Sequence, residues 1–196
     1  MTITVALIRS GVTEAGLQDR FLGVIDEPLS SRGETTLIWR ASNGIYPGAE
    51  LVFTSGRSRS LATAQIIYPR TPAIVLRELE PYDYGEFAGR SYRELEEDPE
   101  FLRWIADRCP APAPHGEEPH AFAARCSLAF RQIVREAERK GLQNAAVVTH
   151  LSVIQSILRR YHMPRPLYQD WQVDFGGGFI TLFDTTTGVL TISEKF

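Results

Sequence analysis

Cysteine is scarce in this chain of 196 residues: Cys109 and Cys126 are the two present, and neither stands in a C-x-x-C or other metal-ligand spacing. That removes the sequence signature of a zinc site or a disulfide framework and leaves two ordinary thiols of the kind that fill cores. An excess of positive charge is also lacking. Lys and Arg number 21 against 24 Asp and Glu, a formal charge of −3, so neither a nucleic-acid footprint nor a membrane-surface patch is expected. No apolar run comes near the roughly 20 residues that a membrane-crossing helix needs. Met1 leads straight into "TITVALI" without the basic start, longer apolar region and small-residue cleavage site of a secretory signal. The expectation is a cytoplasmic protein with no nucleic-acid or membrane partner. Internal repeats and low-complexity tracts are absent as well.

What is present is core material: 43% of residues are hydrophobic and 23% charged, which suits one globular domain over 1–196. Short β-rich runs alternate with helical patterns, the signature of an α/β architecture with a mainly parallel sheet. The run Val5-Ala6-Leu7-Ile8 reads as a buried strand that stops at Arg9, Ser10 and Gly11. "SSRGETTLIWRASNG" has serine caps and a glycine stop and reads as a helix; "ELVFTS" is a second strand and "RSRSLATAQII" the helix after it. "AIVLREL" reads as a third strand, followed by the turn-rich "EPYDYGEFAG" and the helical "YRELEEDPEFLRWIAD". Four prolines keep "CPAPAPHGEEP" irregular, a surface excursion or linker. "HAFAARCSLAFRQIVREAERKG" is the longest helix, with basic residues and Gly141 at its end. "AAVVTH" is a strand that finishes on His150, "LSVIQSILRRY" is a helix, and "FITLFDTTTGVLTIS" is a hairpin turning near Thr187-Gly188.

Residues just past the strands of an open parallel sheet meet at one crevice, so chemistry is sought there first. Arg9 and Ser10 follow the first strand, Ser55 and Arg59 the second, Glu78 and Glu80 lie near the third, and His150 ends a fourth. Two arginines, a histidine and a carboxylate suit a phosphoryl group: guanidinium forks bind its oxygens in pairs, and a carboxylic acid protonates a leaving oxygen. Taken singly, each has an ordinary reading as a solvated charge or a satisfied core group.

The order of the segments carries more. The chain resembles the histidine phosphatase superfamily, also called phosphoglycerate mutase-like, whose opening motif is Arg-His-Gly-x-Thr. "LIRSGVTEAG" supplies Arg9, Gly11 and Thr13, and "DRFLGVIDEPLSSRG" matches the following segment through Gly23, Asp26, Pro28, Leu29 and Gly33. "FTSGRSRSLATAQII" is similar to the family's Ser-x-x-x-Arg-x-x-x-Thr-Ala stretch through Ser55, Arg59, Thr63 and Ala64. "LRELEPYDYGEFAG" and "AAVVTHLSVIQSIL" resemble the Leu-x-Glu/aromatic-Gly and second-histidine segments. The resemblance implies a three-layer α/β/α sandwich with a mainly parallel central sheet. It further implies a phosphomonoester hydrolase that passes through a phosphohistidine and uses no metal or cofactor, with a small phosphorylated substrate or inorganic phosphate as its partner. Arg9, Arg59 and His150 would bind the phosphoryl oxygens beside Thr13 and Gly23, and an acidic donor would come from the aromatic-Gly stretch.

The chain departs from the family at the decisive position. Ser10 stands in the nucleophile's place, and a serine hydroxyl needs an adjacent base before it attacks. Pro81 holds the usual donor's position relative to Gly85. Glu80 fits with a one-residue insertion and Glu78 with three; Glu78 ranks slightly ahead on wording, and in an extended segment both face one side. Gly16, Ala88 and Leu151 replace the usual asparagine, glutamate and glycine. Three readings follow: a phosphatase impaired or deliberately blocked at Ser10, a natural pseudophosphatase that binds without turnover, and an enzyme that attacks through Ser10. A phosphoglycerate mutase-like phosphotransferase is a further alternative, disfavoured by the compact chain.

Overall fold

The computed structural model describes residues 1–106, 111–163 and 171–196; Cys109 and the first residues of the proline-rich stretch lie outside them. In chain order the strands are β1 (Thr2–Arg9), β2 (Leu51–Thr54), β3 (Ala73–Val75), β4 (Asn144–Thr149), β5 (Gly178–Asp184) and β6 (Val189–Lys195). The helices are α1 (Glu14–Leu17), α2 (Ser31–Ser42), α3 (Ser58–Ile67), α4 (Tyr92–Leu95), α5 (Pro99–Ala106), α6 (Pro119–Lys140) and α7 (Leu151–Tyr161). One sheet runs in the order β3-β2-β4-β1-β5-β6. The first four of these strands are parallel, and β5 and β6 add an antiparallel hairpin at the β1 side.

Strand alternation divides the core between two faces. Ile3, Val5, Leu7, Phe53 and Val147 pack with Phe130 and Ile133 of α6 and Ile154 and Ile157 of α7. Ala6, Ile8, Val52, Ala146 and Val148 point the other way, onto Ala64 and Tyr68 at α3. With α2 against α3 and α6 against α7, this is the expected three-layer α/β/α sandwich. The helix ends follow their sequence signals: Ser30 Oγ accepts from Gly33 N to start α2, and Gly141 closes α6 at φ 65°.

The third strand is shorter than the sequence suggests. β3 ends at Val75, and Arg77–Leu79 forms a 3-10 turn. The shared-face argument for Glu78 and Glu80 therefore fails. Leu79 is drawn fully into the core, its carbonyl accepts from Thr149 Oγ1 at 2.8 Å, and the carbonyls of Glu78, Glu80 and Pro81 all accept from Arg125. Backbone acceptors committed in this way cannot continue a ladder. Among the described residues, 111–118 of the proline-rich stretch contain no helix or strand. They rest on the turn at 83–86, where Glu86 N donates to Pro114 O and Glu117 N to Asp83 O.

Candidate functional site

Parallel register builds one end of the site. Arg9 lies opposite Thr149 and Thr54 opposite Val148, so the residues that follow, Ser10, His150 and Ser55, leave the sheet side by side. Ser10 N donates to Thr149 O at 2.8 Å. α3 is tied to this edge because Gly11 N donates to Thr63 Oγ1 (2.9 Å) and Thr63 Oγ1 donates to Arg59 O (2.6 Å). Arg9, Ser10, Thr13, Gly23, Arg59 and His150 all line one cavity of about 300 Å³. Thr13 shapes the turn by accepting from Gly16 N at 3.1 Å. Gly23 has φ 52°, and a Cβ there would lie 2.9 Å from the carbonyl oxygen of Tyr82, so glycine is required on both counts.

Hydrogen-bond bookkeeping fixes the histidine's proton. Ser60 Oγ accepts from Thr54 Oγ1 and gives its own proton to Arg57 O, so at 2.8 Å it accepts from Ser55 Oγ. Ser55, having donated there, accepts from His150 Nε2 at 2.9 Å. In its neutral form His150 thus carries the proton on Nε2 and a lone pair on Nδ1. Burial first, then the cations Arg59, Arg57, Arg125 and Arg9, push its pKa well below the ordinary 6.5. The same burial lowers Arg9 and Arg59 to about 10, which leaves both charged at neutral pH. Arg59 is 4% exposed; Nη2 donates to Gly23 O and Nη1 to Ile25 O, both at 2.8 Å. A cavity lined by the buried guanidinium of Arg59 and the half-buried one of Arg9 suits an anion.

Neither Glu78 nor Glu80 is on the cavity wall, where Pro81 stands instead. The Glu80 carboxylate pairs with Arg57 Nη2 at 2.7 Å. Several wall residues gave no signal in the sequence, Asp19, Phe21, Ser152, Gln155 and Phe175 among them, while Tyr84 comes from the aromatic-Gly stretch. Phe175 lies 3.5 Å from the Arg9 guanidinium carbon, over the ring face, while Arg9 Nη1 donates to Val173 O at 2.7 Å. The glycine run 176–178 was the available clue, since Gly176 N approaches closely enough to bond Arg9 O at 3.0 Å. Gly16 makes room for Phe175: a Cβ there would come within 3.1 Å of the ring. Cys126 is a buried thiol of α6, raised to about 11 by burial, in keeping with a core role. Among the described residues no group of three or more His, Cys, Asp or Glu is placed to hold a metal ion, and no helix is long and apolar enough to cross a membrane.

Comparison with known proteins places these features in a family. The sequence model of the histidine phosphatase superfamily (branch 1) matches residues 5–194. The adenosylcobalamin/alpha-ribazole phosphatase of Escherichia coli (strain K12) is 29% identical over 177 residues, which span 87% of this chain and 85% of that protein. The crystal structure of the alpha-ribazole phosphatase from Shigella flexneri superposes with a TM-score of 0.79 at 25% identity, over 98% of this chain and 96% of the other. A phosphoglycerate mutase from Bacillus anthracis shares the fold, with a TM-score of 0.79 at 18% identity over 100% of this chain and 92% of its own. Since that mutase is of nearly the same length, compactness does not separate the two classes.

Proposed function

The chain belongs to the histidine phosphatase superfamily, branch 1, and from that membership we propose that it is a phosphomonoester hydrolase in design whose turnover is impaired because Ser10 replaces the nucleophile. The observation that carries this reading is the convergence of Arg9, Arg59 and His150 on one cavity beside Ser10. A small phosphorylated compound enters with its phosphoryl group against the two guanidinium groups, which offset the charge that builds up as the phosphorus–oxygen bond breaks. A neutral imidazole at position 10 would attack phosphorus without first losing a proton; a hydroxyl has to be deprotonated. His150 lines the cavity with Ser10, but its hydrogen bond runs from Nε2 to Ser55 Oγ, so it is not set up as the base for that step. Glu78 and Glu80 remain the donor candidates from sequence, and each would have to leave its present position to reach the cavity.

A second reading, a natural domain that binds a phosphorylated ligand without turnover, is favoured by the pairing of Gly16 with Phe175. Gly16, beside the ring that stacks on Arg9, departs from the family's usual asparagine just as Ser10 departs at the nucleophile's place. Replacing Ser10→His separates the two. An impaired hydrolase gains metal-independent turnover of small monoesters through an acid-labile phosphoenzyme, several orders of magnitude above the parent, on the scale of restoring a covalent nucleophile. A folded, phosphate-binding variant with neither turnover nor phosphoenzyme leaves the binding domain as the answer.

A further inference from the structure

Arg125, on α6, does not line the cavity, yet its guanidinium is fully committed beside it. Nε donates to Glu117 Oε1 (2.6 Å), Nη1 to the carbonyls of Glu78 (2.9 Å) and Glu80 (2.6 Å), and Nη2 to the carbonyl of Pro81 (2.9 Å) and to Glu117 Oε2 (2.8 Å). Arginine has five N–H donors, and all five are used. Consecutive carbonyls of a strand point to opposite sides, so a single planar fork that takes both 80 and 81 holds the chain off the extended path. The partner Glu117 is tied to the same segment: its carbonyl accepts from Tyr82 Oη at 2.5 Å, and its N–H donates to Asp83 O at 3.1 Å. The chain that leaves this clamp forms part of the cavity wall through Pro81 and Tyr84 and is pinned to another wall residue, Tyr82 N donating to Ser152 Oγ at 3.3 Å.

We propose that Arg125 is a positioning residue for the organic part of a bound phosphomonoester. By collecting the carbonyls of Glu78, Glu80 and Pro81 it sets the wall against which the group attached to the phosphate rests, and it takes no part in holding the phosphate itself. The proposal rests on the reading of the cavity as a phosphomonoester site. It gives a long-range side chain the task that the sheet performs elsewhere on the wall. Arg125 also contributes positive charge toward His150, so the informative replacement keeps the charge and removes the fork.

The experiment compares inorganic phosphate with phenyl phosphate, by calorimetric titration, on the present chain and on Arg125→Lys. The expected result is phosphate affinity within about twofold of the parent and phenyl phosphate affinity lower by about tenfold, a difference of about 1.4 kcal/mol. Tyr82→Phe, which removes one strap of the same clamp, should shift phenyl phosphate in the same direction by less, and it serves as the test if Arg125→Lys does not fold. A merely structural role would change both ligands alike or neither, and either outcome overturns the proposal. A parent that binds neither ligand overturns the phosphomonoester reading of the cavity, and the positioning role falls with it; a parent that binds both without a split in the variants overturns the positioning role alone.

Discussion

Two parts of the cavity wall are held by different physics. At the anion end, Ser10, Ser55 and His150 each follow a strand, and the parallel ladder between β2, β4 and β1 sets their spacing. Elsewhere on the wall, Pro81 and Tyr84 stand on irregular chain whose carbonyls are gathered by a side chain about forty-five residues away. A ladder fixes charge in a geometry that few substitutions can alter. A wall held by side-chain-to-carbonyl bonds can change shape while the anion site stays as it is. The first part should therefore decide whether a phosphate binds, and the second which phosphate.

The sharpest way to break this division is at Arg59. Arg59→Ala removes a buried fork from the anion end and should weaken inorganic phosphate about a hundredfold, the roughly 3 kcal/mol that charge-assisted hydrogen bonds supply. The rise in melting temperature that phosphate gives the parent should vanish with it. Calorimetry and a thermal scan with chloride at equal ionic strength provide the check; affinity within threefold of the parent would mean that the anion end is not where its charges are.

Gly23 lies on the seam, and its effect should be on stability more than on binding. Its carbonyl receives Arg59 Nη2 from one part, and Tyr82, from the other, would crowd any Cβ. Gly23→Ala combines a positive φ with that close approach and should cost about 2 kcal/mol, a fall of roughly 4–8 °C in melting temperature for a chain of this size. Once folded at low temperature the variant should still bind phosphate. Loss of binding without loss of stability would show that the seam belongs to the anion end.

The same division explains what could be read from the sequence. The strands and helices were legible because strand alternation, caps and glycine stops are local: Ser30 starts α2 and Gly141 closes α6 within a few residues of the signal. That Arg9, Ser10 and His150 would meet was legible because each ends or follows an apolar run, and parallel strands deliver such residues to one edge. The strand expected to run on through Glu78 stops at Val75 because the backbone there follows Arg125, and nothing in "AIVLRELEP" reveals that a guanidinium on a distant helix will claim its carbonyls. Phe175 was missed for a similar reason. Its position depends on Gly16 leaving space more than 150 residues earlier, which only the folded chain brings together.

The smallest effect expected is the pH dependence contributed by His150, and it isolates the anion end most cleanly. Its folded pKa lies well below the unfolded value of about 6.5, through burial and then Arg59, Arg57, Arg125 and Arg9. As pH falls, the unfolded chain therefore binds this proton first. The stabilising contribution is complete above pH 6.5 and is lost below it, about 1.4 kcal/mol between pH 7.5 and 5.5 for one such group. The carboxylates whose pKa is lowered, Asp26 among them, titrate below this window and do not obscure it. Urea unfolding at the two pH values should show the loss in the parent and a flatter response in His150→Gln. Saturating phosphate should also flatten it, because an anion at the lone pair of Nδ1 favours a protonated ring and draws the folded pKa back toward the unfolded one. If phosphate leaves the slope of the parent unchanged, the anion binds away from His150, and the end of the cavity built by the sheet is not the phosphate end.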